Sequence, residues 1–253
     1  MAFEHTLPPV QPLAAEPARP KDRTPWGYAD MAMAIGIVIG GTFLVGVPLA
    51  MVAVLIAGGA DLGDDDIATA ILLGASLLAE VFLLLAVALF TVGKYRVSWA
   101  TLGFRLPRRG GWWLPLALLG GALAVVWLYF AVLAALGVEP GGNIPEEAFD
   151  SVPLVVLVGV LSLAVAPFME ETFFRGFLFG GLRGRWGVFW AALGTGFLFS
   201  LAHIDPLVFI PFTAVGMLFA LGYVYSSSLL ASMIAHLLFN GVSFGLAVSG
   251  VST

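Results

Sequence analysis

The sequence predicts an all-α fold: a polytopic bundle of about seven transmembrane helices with a cytoplasmic N-terminus. Three observations carry this. The chain is 60% hydrophobic and 11% charged, against about 25% charged residues in a soluble domain. Apolar runs near or above the ~20 residues that span a bilayer recur along its whole length. The basic residues gather in alternate connections. Short alternating segments of the barrel type are absent.

Residues 1–27 hold six of the fifteen prolines and no apolar core, and read as a disordered cytoplasmic tail, not as a signal peptide. Residues 28–253 form the membrane domain. Its spans are expected at 30–57, 67–93, 112–136, 152–182, 186–203, 207–225 and 228–248. Pro48, Pro167 and Pro211 lie inside spans and favour kinks. His203-Ile-Asp-Pro206 reads as a tight turn, with Asp205 a turn residue. Trp112 and Trp113 read as interfacial anchors. Gly40-Gly41, Gly120-Gly121 and Gly180-Gly181 read as sites of close helix packing.

Ten of the eleven basic residues fall before span one, between spans two and three, or between spans four and five. The opposite loops are acidic: Asp61, Asp64, Asp65, Asp66, Glu139, Glu146, Glu147 and Asp150. The positive-inside rule then puts the N-terminus in the cytoplasm. No cysteine is present, which excludes disulfides, thiol catalysis and thiolate metal sites. The net charge of −5 offers no basic surface for nucleic acid. The lipid bilayer is the implied partner.

An ionisable group at bilayer depth costs at least about 2.5 kcal/mol, so it faces a partner or a wet cavity. Six such groups lie within the spans: Glu80, Glu170, Glu171, Arg175, His203 and His236, joined by the amide of Asn240. Glu171 and Arg175 are i, i+4 and can pair on one face. Glu170 is rotated about 100° from Glu171 and is expected to point elsewhere. His236 and Asn240 share a face of span seven. Counted at ~1.5 Å per residue from the basic side, His236 lies about 12 Å deep, Asn240 about 18, Glu170 about 20, Glu80 about 21 and His203 about 25 Å. A carboxylate, two imidazoles and an amide at such depths suit amide hydrolysis by an activated water. No serine elbow supports a covalent route.

Three stretches carry a resemblance. Glu170-Glu171-Thr-Phe-Phe-Arg175 resembles the EExxxR motif of the CAAX protease and bacteriocin-processing (CPBP) intramembrane proteases. Phe199-Ser-Leu-Ala-His203 resembles that family's FxxxH motif, and His236-Leu-Leu-Phe-Asn240 its HxxxN motif. The resemblance covers about residues 150–245, a protease-like core. The family includes type II CAAX prenyl endopeptidases and the Abi proteins linked to bacteriocin immunity. It implies an intramembrane endopeptidase of the cell membrane, acting on a peptide or a prenylated C-terminal C-a-a-X protein. It implies Glu170 as general base and His203 as the residue that helps hold and activate water. His236 and Asn240 would form the oxyanion hole. Glu171 and Arg175 would shape the site, with Phe199 packed beside it.

The family is often labelled metalloprotease, and a zinc ion, if bound, would take Glu170, His203 and His236. Against this, no HExxH pair exists, and Asn240 is a poor zinc ligand but a good oxyanion donor. Glutamate-activated water without an obligatory metal is the favoured reading. Glu80 lies outside every motif and reads as structural or cavity-lining. The competing class is non-enzymatic: an immunity or scaffold protein binding peptides or membrane partners, or a small proton-coupled transporter. A transporter should show related halves, and no repeat is found.

Overall fold

The computed structural model describes residues 23–57, 64–138 and 152–249. These contain helices and turns and no strand. The tail residues 1–22 and the acidic residues Asp61, Glu139, Glu146, Glu147 and Asp150 lie outside the described residues, as do the side chains of Asp64, Asp65 and Asp66.

Helix α1 is Tyr28–Ala57 and α2 is Asp64–Ala88, prolonged by a π turn at Leu89–Gly93. A short helix, α3, spans Trp99–Leu102, and α4 spans Trp113–Ala135. The run Val152–Ala202 is 51 residues of near-continuous helix. A straight helix of that length would reach about 75 Å, far beyond a hydrocarbon core of ~30 Å. It breaks at Gly187, whose φ of 77° and ψ of 168° are non-helical and suit a residue without Cβ. The run therefore forms two spans, α5 (152–186) and α6 (188–202), which makes seven among the described residues. Helix α7 is Phe209–Ser226 and α8 is Leu229–Val248. The chain is an integral, multi-pass membrane protein. Its outer surface is lined by apolar side chains such as Leu44, Leu55 and Leu128, all largely exposed. That is the expected covering for a surface in lipid.

The connections with basic residues meet at one end of the bundle. Lys94 Nζ is 2.5 Å from Asp30 Oδ1, and the Tyr95 hydroxyl donates to Asp30 Oδ2 at 2.8 Å. Arg105 Nε donates to Ser227 O at 2.6 Å. Residues 23–27 of the expected tail are packed at this end. Trp26 is fully buried, stacks on Phe177 and donates its indole N–H to Phe177 O at 3.0 Å. Arg185 Nη2 donates to Trp26 O at 3.0 Å. Trp112 and Trp113, 79% and 57% exposed, stand at the start of α4 as interfacial anchors should.

Helix α5 runs through the centre of the core. Residues Glu171–Phe179 form a π-helical stretch in which all nine residues are buried. Helices α6 and α7 cross at two glycines: a Cβ on Gly196 would lie 2.6 Å from Thr213 O, and one on Gly216 would lie 2.6 Å from Gly196 Cα. Of the three glycine pairs read as packing sites, the second member is the close contact each time: Gly41 on Phe82, Gly121 on Leu218 and Gly181 on Trp26 and Met31. Asp205 accepts from Leu207 N at 2.9 Å and caps the turn Pro206–Val208 that leads into α7.

Candidate active site

Four helices supply the polar groups within the membrane. The π-helical stretch of α5 lays Arg175 beside Glu171, with Nη1 2.8 Å from Oε1 and both side chains buried. The ion pair expected from the i, i+4 spacing therefore forms. A buried charge pair needs further partners to offset desolvation. Here the guanidinium lies over the Phe199 ring at 4.4 Å and near Phe219 at 5.5 Å, and Nη2 donates to Gly216 O at 3.5 Å. Phe199, the first residue of the FxxxH stretch, thus packs on Arg175 on one side. It also contacts the rings of His203 and His236, at 4.8 and 5.8 Å between centroids.

His236, on α8, is the meeting point. Its Nδ1 lies 3.1 Å from Glu171 Oε1, and its Nε2 lies 3.7 Å from Glu170 Oε2. The carboxylate can only accept, so Nδ1 carries the hydrogen and Nε2 is turned to Glu170. Glu170 was expected to point away from Glu171, yet the two carboxyls share this one imidazole. The ring is large enough to present one nitrogen to each of two neighbouring positions on α5. Glu170 Oε2 is buried and has no hydrogen-bond partner.

His203 closes α6. Its Nδ1 donates to Phe199 O at 2.9 Å, so Nε2 of the neutral ring is free to accept a proton or a water hydrogen. His203, His236 and Asn240 line one cavity with Phe199, Phe212 and Phe219. Its volume is about 20 Å³, room for a single water. Glu170 is not in its wall and meets the site at His236 Nε2.

Asn240 has a second task. A π turn at Leu161–Val165 sends the Ala166 N–H to Leu161 O. The next nitrogen belongs to Pro167 and carries no hydrogen. Ser162 O is left without a donor from its own helix, and Asn240 Nδ2 fills the gap at 2.8 Å. One amide hydrogen is thus committed to the backbone and the other remains for the cavity.

A catalytic zinc needs about three protein ligands. Among the described residues no three His, Asp or Glu side chains converge closely enough to hold a metal ion. Glu170, His203 and His236 do not form a ready ligand set.

Three participants were not legible as site residues. Phe212 and Phe219, i and i+7 on α7, wall the cavity against His203 and His236 at 4.7 and 5.7 Å. Their spacing was a signal, but one shared by any buried helix. Ser162 enters only as a carbonyl five residues before a proline.

Comparison with known proteins follows the same region. The family described as Type II CAAX prenyl endopeptidase Rce1-like matches residues 152–242. The chain is 32% identical over 94 residues to "Putative membrane peptidase YdiL" of Bacillus subtilis (strain 168). It is 30% identical over 124 residues to an "Uncharacterized 24.3 kDa protein" of Escherichia coli. These alignments cover 37% and 46% of this chain, and 37% and 57% of the respective relatives. No solved structure matches.

Proposed function

Taking residues 152–242 as a region of the Rce1-like family, we propose that this membrane protein is an intramembrane endopeptidase that cleaves with water activated by Glu170. The observation that carries the reading is the double contact of His236 with Glu170 and Glu171, beside a water-sized cavity shared with His203 and Asn240.

In this reaction a water hydrogen passes to Glu170 as the water oxygen attacks the scissile carbonyl. Nε2 of His203 accepts the water's other hydrogen and steers the attack. The carbonyl oxygen gains negative charge. The free amide hydrogen of Asn240 and the imidazole of His236 stabilise it. Glu171 holds His236 in orientation through Nδ1, and Arg175 pairs with the same Glu171 oxygen. The intermediate collapses as the C–N bond breaks and Glu170 returns its proton to the leaving amine. The scheme requires no metal. The basic end of the bundle, where α1 starts, faces the cytoplasm by the positive-inside rule. The substrate class is a peptide segment, with prenylated C-terminal C-a-a-X peptides the first to test.

The test uses purified protein in vesicles with a peptide library that includes farnesylated C-terminal peptides. Wild type and Glu170→Gln are compared with and without a chelator. Cleavage by wild type alone, unchanged by the chelator, is the expected result. Equal cleavage by both proteins removes Glu170 as the base. Chelator-sensitive cleavage replaces activated water by a metal mechanism. Binding without cleavage by wild type supports the non-enzymatic class.

A further inference from the structure

Away from the polar cluster, α6 and α7 form an apolar groove on the outside of the bundle. Trp190, Leu193, Gly194 and Phe197 recur at i, i+3, i+4 and i+7, one side of α6. Thr213 of α7 and Trp186, at the end of α5, complete its wall. The volume is about 390 Å³, within the ~300–1,000 Å³ of small-ligand pockets. None of these residues lines the water-sized cavity. The wall offers no free side-chain donor. The Thr213 hydroxyl donates to Phe209 O at 2.6 Å, and the Trp186 indole N–H donates to the Tyr28 hydroxyl at 2.8 Å. Trp186 leans over Gly194, where a Cβ would lie 3.2 Å from its Cζ3.

From Trp186 to Phe197 the wall covers about 16 Å at a helical rise, roughly one leaflet of a ~30 Å core. Its Trp186 end stands at the basic end of the bundle. The Arg185 guanidinium lies 5.6 Å from the centroid of the Tyr28 ring, whose hydroxyl receives the Trp186 N–H. Arg23 Nε donates to Gly184 O at 3.3 Å, beside Arg185 in the chain. Arg185 spends Nη1 on Gly181 O and Nη2 on Trp26 O. A guanidinium carries five N–H donors, so both arginines have donors to spare. Among the described residues neither is ion-paired: the carboxylates that pair with a lysine or arginine are Asp30, with Lys94, and Glu171, with Arg175. An apolar channel one leaflet deep thus ends at two cations without counter-charge. Tyr28 and Trp186 mark that end as headgroup depth.

We propose that this groove binds one anionic phospholipid of the leaflet at the basic end: an acyl chain lies between α6 and α7, and the phosphate accepts hydrogen bonds from Arg185 and Arg23. Guanidiniums without carboxylates at an interface suit a phosphate, which accepts from both at once. A wall without a free donor suits methylenes, whereas an extended peptide would leave its backbone groups unpaired. A second transmembrane helix would pack on small residues. Here Trp186, Trp190 and Phe197 stand out instead, at 46%, 60% and 48% exposed. The chain touches both helices beside their crossing at Gly196 and Gly216, and braces one on the other. The site does not depend on the protease reading.

The test uses the full chain in neutral detergent micelles, titrated with phosphatidylglycerol or with phosphatidylcholine of the same acyl chains. Native mass spectrometry counts the lipids retained. One phosphatidylglycerol per chain is expected, held about tenfold more tightly than phosphatidylcholine. Arg23→Gln and Arg185→Gln should each weaken it about fivefold. Gly194→Leu, which fills the groove and leaves both arginines, should weaken it at least about tenfold. If Gly194→Leu does not fold, Trp190→Ala, at an exposed wall position, is expected to weaken retention as well. The exposed pair Arg108 and Arg109 is the control, and changing both to Gln should leave retention as in wild type. Thermal unfolding gives a second readout: phosphatidylglycerol should raise the midpoint of wild type and leave that of Gly194→Leu unmoved. Equal retention of the two lipids overturns the proposal, as does full retention by the groove variants. Equal losses in the Arg108 and Arg109 control reduce the effect to general attraction to a basic surface and also overturn it. Displacement of the lipid by a farnesylated peptide overturns it in favour of a substrate chain.

Discussion

His236 donates from Nδ1 to Glu171 Oε1 over 3.1 Å, joining α8 to α5 across 65 positions of sequence. The same Glu171 oxygen lies 2.8 Å from Arg175 Nη1. A carboxylate adjacent to the proposed base thus holds a histidine with one hand and an arginine with the other. Removing either partner should have distinct consequences.

Arg175→Ala leaves Glu171 buried and without its permanent counter-charge. A loss of about 3–5 kcal/mol in stability is expected, read by unfolding in mixed micelles. Arg175→Lys should recover only part, since an ammonium lacks the planar stack on Phe199. Recovery to wild type by lysine would show that charge alone suffices.

His203→Ala should separate chemistry from folding. The residue ends α6, its ring is half-buried, and its one hydrogen bond is local, to Phe199 O. Thermal unfolding should move little, equivalent to at most about 1 kcal/mol. Peptide cleavage should fall about a hundredfold or more. A large stability loss with cleavage unchanged per folded molecule would make the residue structural.

Asn240→Leu removes the only donor identified for Ser162 O and should cost about 1–3 kcal/mol. The cost should shrink when Pro167→Ala is combined with it, since an alanine N–H can serve that carbonyl. A double-mutant cycle on unfolding free energies measures the coupling. Additive effects would disprove the link between Pro167, Ser162 and Asn240.

Gly216→Ala places a methyl 2.6 Å from Gly196 Cα, against backbone that cannot yield. Helices α6 and α7 must separate, and Phe199, His203 and Phe212 move with them. Overpacking of this kind costs about 1–3 kcal/mol. Cleavage should fall further than the loss of folded protein explains. Gly245→Ala, where a Cβ meets nothing within 4 Å, is the matched control and should behave as wild type.

At the basic end, the hydrogen bond that Lys94 donates to Asp30 holds the exposed lysine above the usual lysine range, with desolvation opposing and Tyr95 adding to it. The group is raised on folding, so its contribution is complete below the unfolded lysine value. It fades as pH climbs through the folded one. An alkaline scan of thermal unfolding should show a downward step in wild type that Lys94→Met lacks. A step of equal size in both proteins would assign it to another group.

Much of this was legible along the chain. Hydropathy and length marked the spans, because a bilayer imposes a fixed thickness on any helix that crosses it. The break between spans four and five was expected at the Arg183–Arg185 pair, and the backbone breaks at Gly187, where only glycine takes the required φ without strain. Glu171 and Arg175 were readable as a pair because i, i+4 contact is a local property of one helix. The motif residues pointed by type to the chemistry proposed above.

What only the tertiary structure decided is how separate helices meet. Depth counts scattered His236 and Glu170 by about 8 Å, yet the two are 3.7 Å apart. A count along each helix ignores tilt, the π turns of α5 and the glycine crossing of α6 on α7. Those features also decided that His236 serves both carboxyls and that Asn240 gives one hydrogen to Ser162 O. Periodicity fixes which face of a helix a side chain occupies. The partner on that face is set by crossing angle and register between helices, and these emerge only when the whole bundle packs.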